Sequence, residues 1–298
     1  MKFGIRIPPP QMGPIADPDF VVRYSQLVES LGFESLWTID HALMCVEYDS
    51  RYPYKTTGRT PIPAEEDMPD PLILMMLIAG ATERIRIGTS MLILPQRHPL
   101  ILAKEVATLD RYSKGRVTLG IGVGWVAEEV EILKQDFHDR GRRANEWIEI
   151  LRELWSEGLS EYHGEYFQFE RIMSSPKPIQ PGGIPLMIGG HSEAAARRAG
   201  RYGDEFYPHW STRGPDVEAL AALMPVIARA AEEAARPTDS VRLTLTSTSD
   251  ARTAFETAET CAKLGAERVV VLPPKGELDG ALPDELNRFK ETVIDQFD

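Results

Sequence analysis

The chain has 298 residues, 43% hydrophobic and 26% charged, enough to bury a large core and to set aside disorder. Its formal net charge of −12, spread along the chain, repels phosphate-rich polymers and argues against nucleic acid as a partner. Cys45 and Cys261 fit neither a metal-ligand spacing nor a disulfide scaffold, which points to a reducing compartment.

Short β-branched or apolar runs then alternate with longer amphipathic segments, the pattern of repeated βα units. The first run, residues 3–7, reads as a strand and has no basic flank or long apolar core of a signal peptide. Asp17-Pro18 opens a helix that Leu31-Gly32 closes. A strand at 35–38 is followed by an excursion over 42–69, rich in proline and aromatic residues, readable as a lid or as a structural insertion. Asp70-Pro71 opens the next helix, whose apolar run 71–81 is too short to span a bilayer, so a cytoplasmic protein without membrane contact is expected. Strands at 85–91 and 116–121 flank a helix opened by His98-Pro99. A helix at 145–156 leads into residues 157–183, which read as a small hairpin and an extended connection. Strands at 185–188, 205–208, 241–246 and 268–272 alternate with helices at 192–202, 215–235, 253–264 and 283–297. Eight strands, each with its helix, favour an α/β fold of one domain over residues 1–298, a closed (β/α)8 TIM barrel with insertions, over a doubly wound sheet.

In such a barrel the carboxyl ends of the strands converge on one face, which carries the chemistry. There lie Asp40-His41, Thr89-Ser90, Gly122-Val123-Gly124-Trp125, Gly189-Gly190-His191-Ser192 and Tyr207-Pro208-His209-Trp210, with Lys275 after the last strand. Asp40 and His41 offer an acceptor and an imidazole that exchanges protons near neutral pH; alone, the pair reads equally as a helix cap beside an incidental histidine. Gly189, Gly190, His191 and Ser192 lead from strand to helix, where free amides favour a phosphate, although a plain structural turn uses glycine too. Gly120, Gly122 and Gly124 fail the dinucleotide pattern because Trp125 holds its last glycine position. Backbone passing close to a flat ligand, with Trp125 as a wall, accounts for them; ordinary core is the other reading of Trp125. His98 reads as a helix cap, Arg97 as a partner of a phosphate or of a carboxylate, and His138 as solvent-facing. No cluster has metal-ligand spacing, and no nucleophile-base pair is visible.

TIDH at 38–41, GTSMLILP at 88–95, GRVTLGIGVGW at 115–125 and IGGHS at 188–192, in this order and spacing, resemble the luciferase-like monooxygenase superfamily. The resemblance implies a barrel that binds FMN or the deazaflavin coenzyme F420 at its carboxyl face, with a non-prolyl cis peptide at Ser90-Met91 behind the ring. It places Asp40 and His41 by the ring, Gly189 to Ser192 at the phosphate, and Gly122, Gly124 and Trp125 on the active face. The Asp-His pair resembles the deazaflavin branch, and Trp125 stands where sugar-phosphate dehydrogenase members carry glutamate. The expectation is an oxidoreductase that moves a hydride between F420 and a small organic substrate, with His41 or Asp40 managing the proton. An FMN-dependent monooxygenase is the alternative, and a cofactor-free or non-catalytic barrel the alternative of another class. A homodimer is expected, because exposed helices of such barrels build dimers.

Overall fold

The computed structural model describes residues 1–208, 216–247, 250–274 and 276–297; His209, Trp210 and Lys275 lie outside them. β1 (Lys2–Arg6), β2 (Ser35–Thr38), β3 (Arg86–Thr89), β4 (Leu92–Ile93), β5 (Val117–Gly122), β8 (Leu186–Gly189), β9 (Glu205–Tyr207), β10 (Arg242–Ser247) and β11 (Ala266–Val271) form one parallel sheet. Its order is β3-β2-β1-β11-β10-β9-β8-β5, and β3 pairs β5 through Ile87 with Val117, so the sheet closes into an eight-strand barrel. β3 lies within the strand predicted at 85–91, and β4 resumes after the cis peptide Ser90-Met91, beyond that strand's predicted end. The hairpin expected within 157–183 is β6 (Ser160–His163) paired antiparallel with β7 (Gln168–Ile172).

The helices start where their caps dictate. Asp17 accepts the Asp19 N–H ahead of α1 (Pro18–Ser30), and Asp70 accepts the Leu72 and Ile73 N–H groups ahead of α2 (Pro71–Ala81). His98 precedes α3 (Pro99–Tyr112) without a side-chain cap bond, contrary to expectation; its ring meets Phe167 edge-on at 5.1 Å. α4 (Ala127–Ile132) was not foreseen, and α5 (Arg140–Trp155) begins five residues early, through Gly141. α6 (Glu193–Tyr202), α7 (Val217–Glu233) and α8 (Ala251–Lys263) lie where they were expected, whereas α9 (Leu282–Thr292) stops five residues before its predicted end and a 3-10 turn at Ile294–Gln296 follows.

Trp37, Met187, Tyr207 and Val270 fill the barrel's interior. Trp37 fits because β1 and β3 present glycine to it: a Cβ on Gly4 or Gly88 would come within 2.6 Å of the indole. Below this layer Arg268 binds Glu34 at 2.8 Å and also Glu205, while Glu205 accepts from Arg242 at 3.1 Å and Thr244 at 3.0 Å. This buried ionic plug closes the amino end, leaving the carboxyl end for ligands.

Candidate active site

The carboxyl rim is built around Met91. Arg6, at the end of β1, donates from Nε to Ser90 Oγ at 2.9 Å and from Nη2 to Ser90 O at 2.8 Å, and the Ser90 N–H is held by Thr38 O at 2.7 Å. These bonds hold the backbone at Ser90 and occupy one acceptor site of its hydroxyl. The Met91 side chain lies across two neighbouring strand ends: a Cβ on Gly189 would meet its Cγ at 2.6 Å, and one on Gly122 its Cβ at 3.3 Å. This part of the rim is therefore lined by bare glycine backbone and a thioether. Gly124 has φ +80 and Gly190 φ +127, left-handed or extended-positive values that glycine adopts without strain.

Asp40 differs from its predicted role. Its carboxylate accepts the Ile93 N–H at 2.8 Å and Arg97 Nη2 at 2.9 Å, with the side chain 1% exposed. Burial raises its carboxyl above the usual range, opposed by Arg97 and the Ile93 N–H. Arg97 also binds Asp70 at 2.8 Å, so its partners are carboxylates rather than a phosphate. Asp40 thus ties β2 to β4 and to the start of α2, each oxygen accepting one bond in a side chain shut off from solvent.

His41 keeps a free nitrogen. Its Nδ1 lies 3.0 Å from Glu129 Oε2, a residue of α4 that the sequence reading passed over. An ionised carboxylate can only accept, so Nδ1 of the neutral ring donates and Nε2 is left as the acceptor. Nε2 has no hydrogen-bond partner among the described residues. The ring stands edge-on to Trp125 at 6.2 Å, and Trp125 meets Tyr48 at 5.6 Å and Tyr52 at 5.2 Å. Trp125 is therefore half-buried among rings at the carboxyl rim and not interior core. Tyr52 continues to Tyr54 at 5.3 Å, and Tyr54 to His191 at 5.5 Å. This aromatic chain runs from His41 to the turn at 189–192, placing both on one rim.

The tyrosines come from the excursion 42–69, which two adjacent acids of α4 hold down. Glu129 Oε1 accepts the Ala42 N–H at 2.8 Å and the Leu43 N–H at 3.3 Å. Glu128 accepts the Asp49 N–H at 2.6 Å, the Ser50 N–H at 3.1 Å and the Ser50 hydroxyl at 2.7 Å. Burial works against the charge of Glu128, but these donors outweigh it and lower its carboxyl from 4.5 to about 2. A depressed carboxyl stabilises docking fully above its ordinary value, and the contribution disappears as pH falls through about 2. Glu128→Gln should therefore loosen the excursion at neutral pH, speeding tryptic cleavage after the exposed Arg51, Lys55 and Arg59. Equal cleavage rates in the two proteins would contradict this docking.

At the predicted phosphate turn, Ser192 caps α6 by accepting the Ala195 N–H at 3.2 Å. The Gly190 N–H is spent on Tyr207 O at 3.2 Å, so the amides left free here among the described residues are those of His191, Ser192, Glu193 and Ala194. Burial lowers the His191 imidazole from its ordinary value, favouring the neutral ring. Among the described residues no group of acids, histidines or cysteines could hold a metal ion, and no helix is long and apolar enough to cross a membrane.

The F420-dependent glucose-6-phosphate dehydrogenase of Amycolatopsis mediterranei (strain U-32) is 30% identical to this chain over 250 residues, covering 82% of this chain and 68% of the relative. The solved monooxygenase RslO1 from Streptomyces bottropensis superposes with a TM-score of 0.77 at 18% identity over 100% of both chains. The coenzyme F420 dependent tetrahydromethanopterin reductase from Methanopyrus kandleri does so with a TM-score of 0.74 at 18% identity, over 100% of this chain and 99% of that one. Both structures share the fold. The sequence pattern of the luciferase-like monooxygenases matches residues 1–263, from β1 to the end of α8, and on that extent the chain belongs to the luciferase-like monooxygenase family.

Proposed function

We propose that the protein is an oxidoreductase that exchanges a hydride between coenzyme F420 and a small organic substrate at the carboxyl rim. The observation that carries this reading is the free Nε2 of His41, oriented by Glu129 on the same carboxyl rim as Met91, Gly122 and Gly189. That part of the rim suits a planar deazaflavin or flavin ring, because a side chain on either glycine would already be in contact with Met91. When bound, the coenzyme supplies the two-electron chemistry. The free amides of His191, Ser192 and Glu193, at the start of α6, would hold its phosphate.

The substrate would lie between that part of the rim and Trp125, where His41 Nε2 gives or takes the proton at its reacting oxygen. Glu129 keeps the imidazole in the tautomer that leaves Nε2 able to accept. Asp40 acts as a positioning residue through Ile93 and Arg97. Tyr48, Tyr52 and Trp125 exclude water from the reacting atoms. The dehydrogenase and reductase relatives named for F420 support this coenzyme. The likeness to RslO1 favours a second reading, an FMN-dependent monooxygenase.

Titration of the purified protein with each coenzyme, followed by absorbance and fluorescence, separates the two. F420 is expected to bind tightly and FMN weakly, with no oxygen consumption during turnover. Tight FMN binding with oxygen uptake would replace the first reading by the second, and binding of neither would remove both.

A further inference from the structure

Side chains along a strand alternate between the two faces of a sheet, so in a closed barrel every second residue points inward. On β1 the neighbours fix which ones do. The Phe3 ring meets Phe289 of α9 edge-on at 6.2 Å, outside the barrel, whereas a Cβ on Gly4 would lie 2.6 Å from Trp37 Nε1, inside it. Ile5 turns outward again, into the core that includes Val28 and Phe289. Arg6 is therefore directed into the barrel at the carboxyl end of β1, level with Trp37 of β2 and below His41.

Arg6 forms no salt bridge among the described residues, and the acids of the same rim are committed elsewhere: Asp40 to Arg97, and Glu129 to His41. Ser90 occupies only the guanidinium edge made by Nε and Nη2, at 2.9 and 2.8 Å. The opposite edge, Nη1 with the second Nη2 hydrogen, has no partner among the described residues and is not sealed from solvent. Across the mouth Arg6 faces phenols. Its positive charge acts on Tyr52 and Tyr54, opposing the burial that raises both hydroxyls. Tyr52 then meets Trp125 at 5.2 Å, and Trp125 meets His41 at 6.2 Å. A half-buried cation with a free edge thus lies two ring contacts from the imidazole, in a chain whose net charge is −12.

We propose that Arg6 determines specificity at this site and selects an organic substrate that carries a carboxylate, received by the free Nη1–Nη2 edge. That the anion belongs to the substrate rests on the coenzyme reading above; the attraction of Arg6 for a carboxylate does not. Two parallel N–H groups match the two oxygens of a carboxylate, and a guanidinium already held by Ser90 loses little freedom on binding it. A neutral amide of the same shape offers one oxygen and turns its own N–H donors against those of the guanidinium, so the edge discriminates by charge.

The test is thermal denaturation of the full-length protein at constant ionic strength with acetate, butyrate, cyclohexanecarboxylate and benzoate, each beside its own primary amide, alone and with F420 present. Wild type, Arg6→Gln and Arg6→Lys are compared. Wild type is expected to gain Tm with at least one carboxylate and to bind it roughly tenfold more tightly than its amide. Arg6→Gln should weaken the carboxylate by about that factor and leave the amide unchanged, with Arg6→Lys restoring part of the preference. Loss of support at Ser90 alone would weaken both members of a pair together. No carboxylate preference in wild type, or one that persists in Arg6→Gln, overturns the assignment. If Arg6→Gln does not fold, Arg6→Lys decides, and a carboxylate affinity equal to that of wild type overturns it. Fluorescence titration with F420 separates the substrate from the coenzyme ring as the source of the anion. Equal F420 affinity in wild type and Arg6→Gln supports the substrate, whereas weaker F420 binding without any carboxylate preference gives Arg6 to the ring and overturns the proposal. Arg6-dependent carboxylate binding in a protein that takes up neither coenzyme supports the selectivity of Arg6 and removes the coenzyme reading. Tight F420 binding with no carboxylate preference does the reverse.

Discussion

His41→Ala should lower turnover by ~100- to 10,000-fold while changing coenzyme affinity only a few-fold, because a positioned general acid or base contributes about that much and the imidazole is not needed to hold a ring. In the proposed binding mode the ring would rest on Met91 and the glycine backbone, and the phosphate on amides of another strand end, so neither would depend on residue 41. Glu129→Gln should cost less, roughly 10- to 100-fold, since the amide retains the size of the acid but can no longer enforce one tautomer. The two residues act as one unit, and the double variant should therefore be no slower than His41→Ala alone. Stopped-flow measurement of coenzyme reduction or oxidation, beside equilibrium titration of the coenzyme, checks all three. Unchanged turnover in His41→Ala would remove the residue from the chemistry, and additive losses in the double variant would separate Glu129 from it.

The largest effect on stability is expected at Gly120. A Cβ there would lie 1.9 Å from the Thr89 carbonyl oxygen and 3.0 Å from Met187 Cε, and the first of these neighbours is backbone of the adjoining strand. The same junction is already drawn tight by Thr89 Oγ1, which donates to Gly120 O at 2.5 Å. Overpacking a core typically costs about 1 to 3 kcal/mol, and a backbone collision inside a closed barrel belongs at or above the upper end. Gly120→Ala should then lower Tm by roughly 6 °C or more, at about 2 °C per kcal/mol for a chain of this size. Gly80 provides the contrast: it is exposed within α2, with nothing within 4 Å of an added Cβ. The same substitution there should stabilise by about 0.5 to 1 kcal/mol through helix propensity and the unfolded chain. Calorimetry on both variants tests the opposite signs; similar Tm values would mean that the barrel yields at Gly120.

These expectations depend on features of unequal visibility in the sequence. Strands buried on both faces announce themselves as apolar runs, and the 35–38 strand is found at its predicted bounds. Aspartate followed by proline marked the starts of α1 and α2, because cap and first turn are local chemistry. α4 lacks such a mark: Val126 before it provides no side-chain cap, and the helix has six residues. With α4 went Glu129, whose partner His41 is 88 positions away and visible only once the barrel closes. Arg6 was missed for a similar reason, since a lone cation ending a strand looks solvated until Ser90 is brought to it. The start of α5 was hidden by Gly141, which reads as a helix breaker but leaves room for Arg198. Asp40 was conspicuous by its position, yet only the packed structure reveals that Ile93 and Arg97 occupy its oxygens.

Glu129 divides its two oxygens between the imidazole of residue 41 and the first amides of the excursion, at Ala42 and Leu43. A change that shifts the backbone at Ala42 or Leu43 would therefore also disturb the hold on His41 Nδ1, whereas Tyr48, Tyr52 and Tyr54 lie beyond that shared anchor.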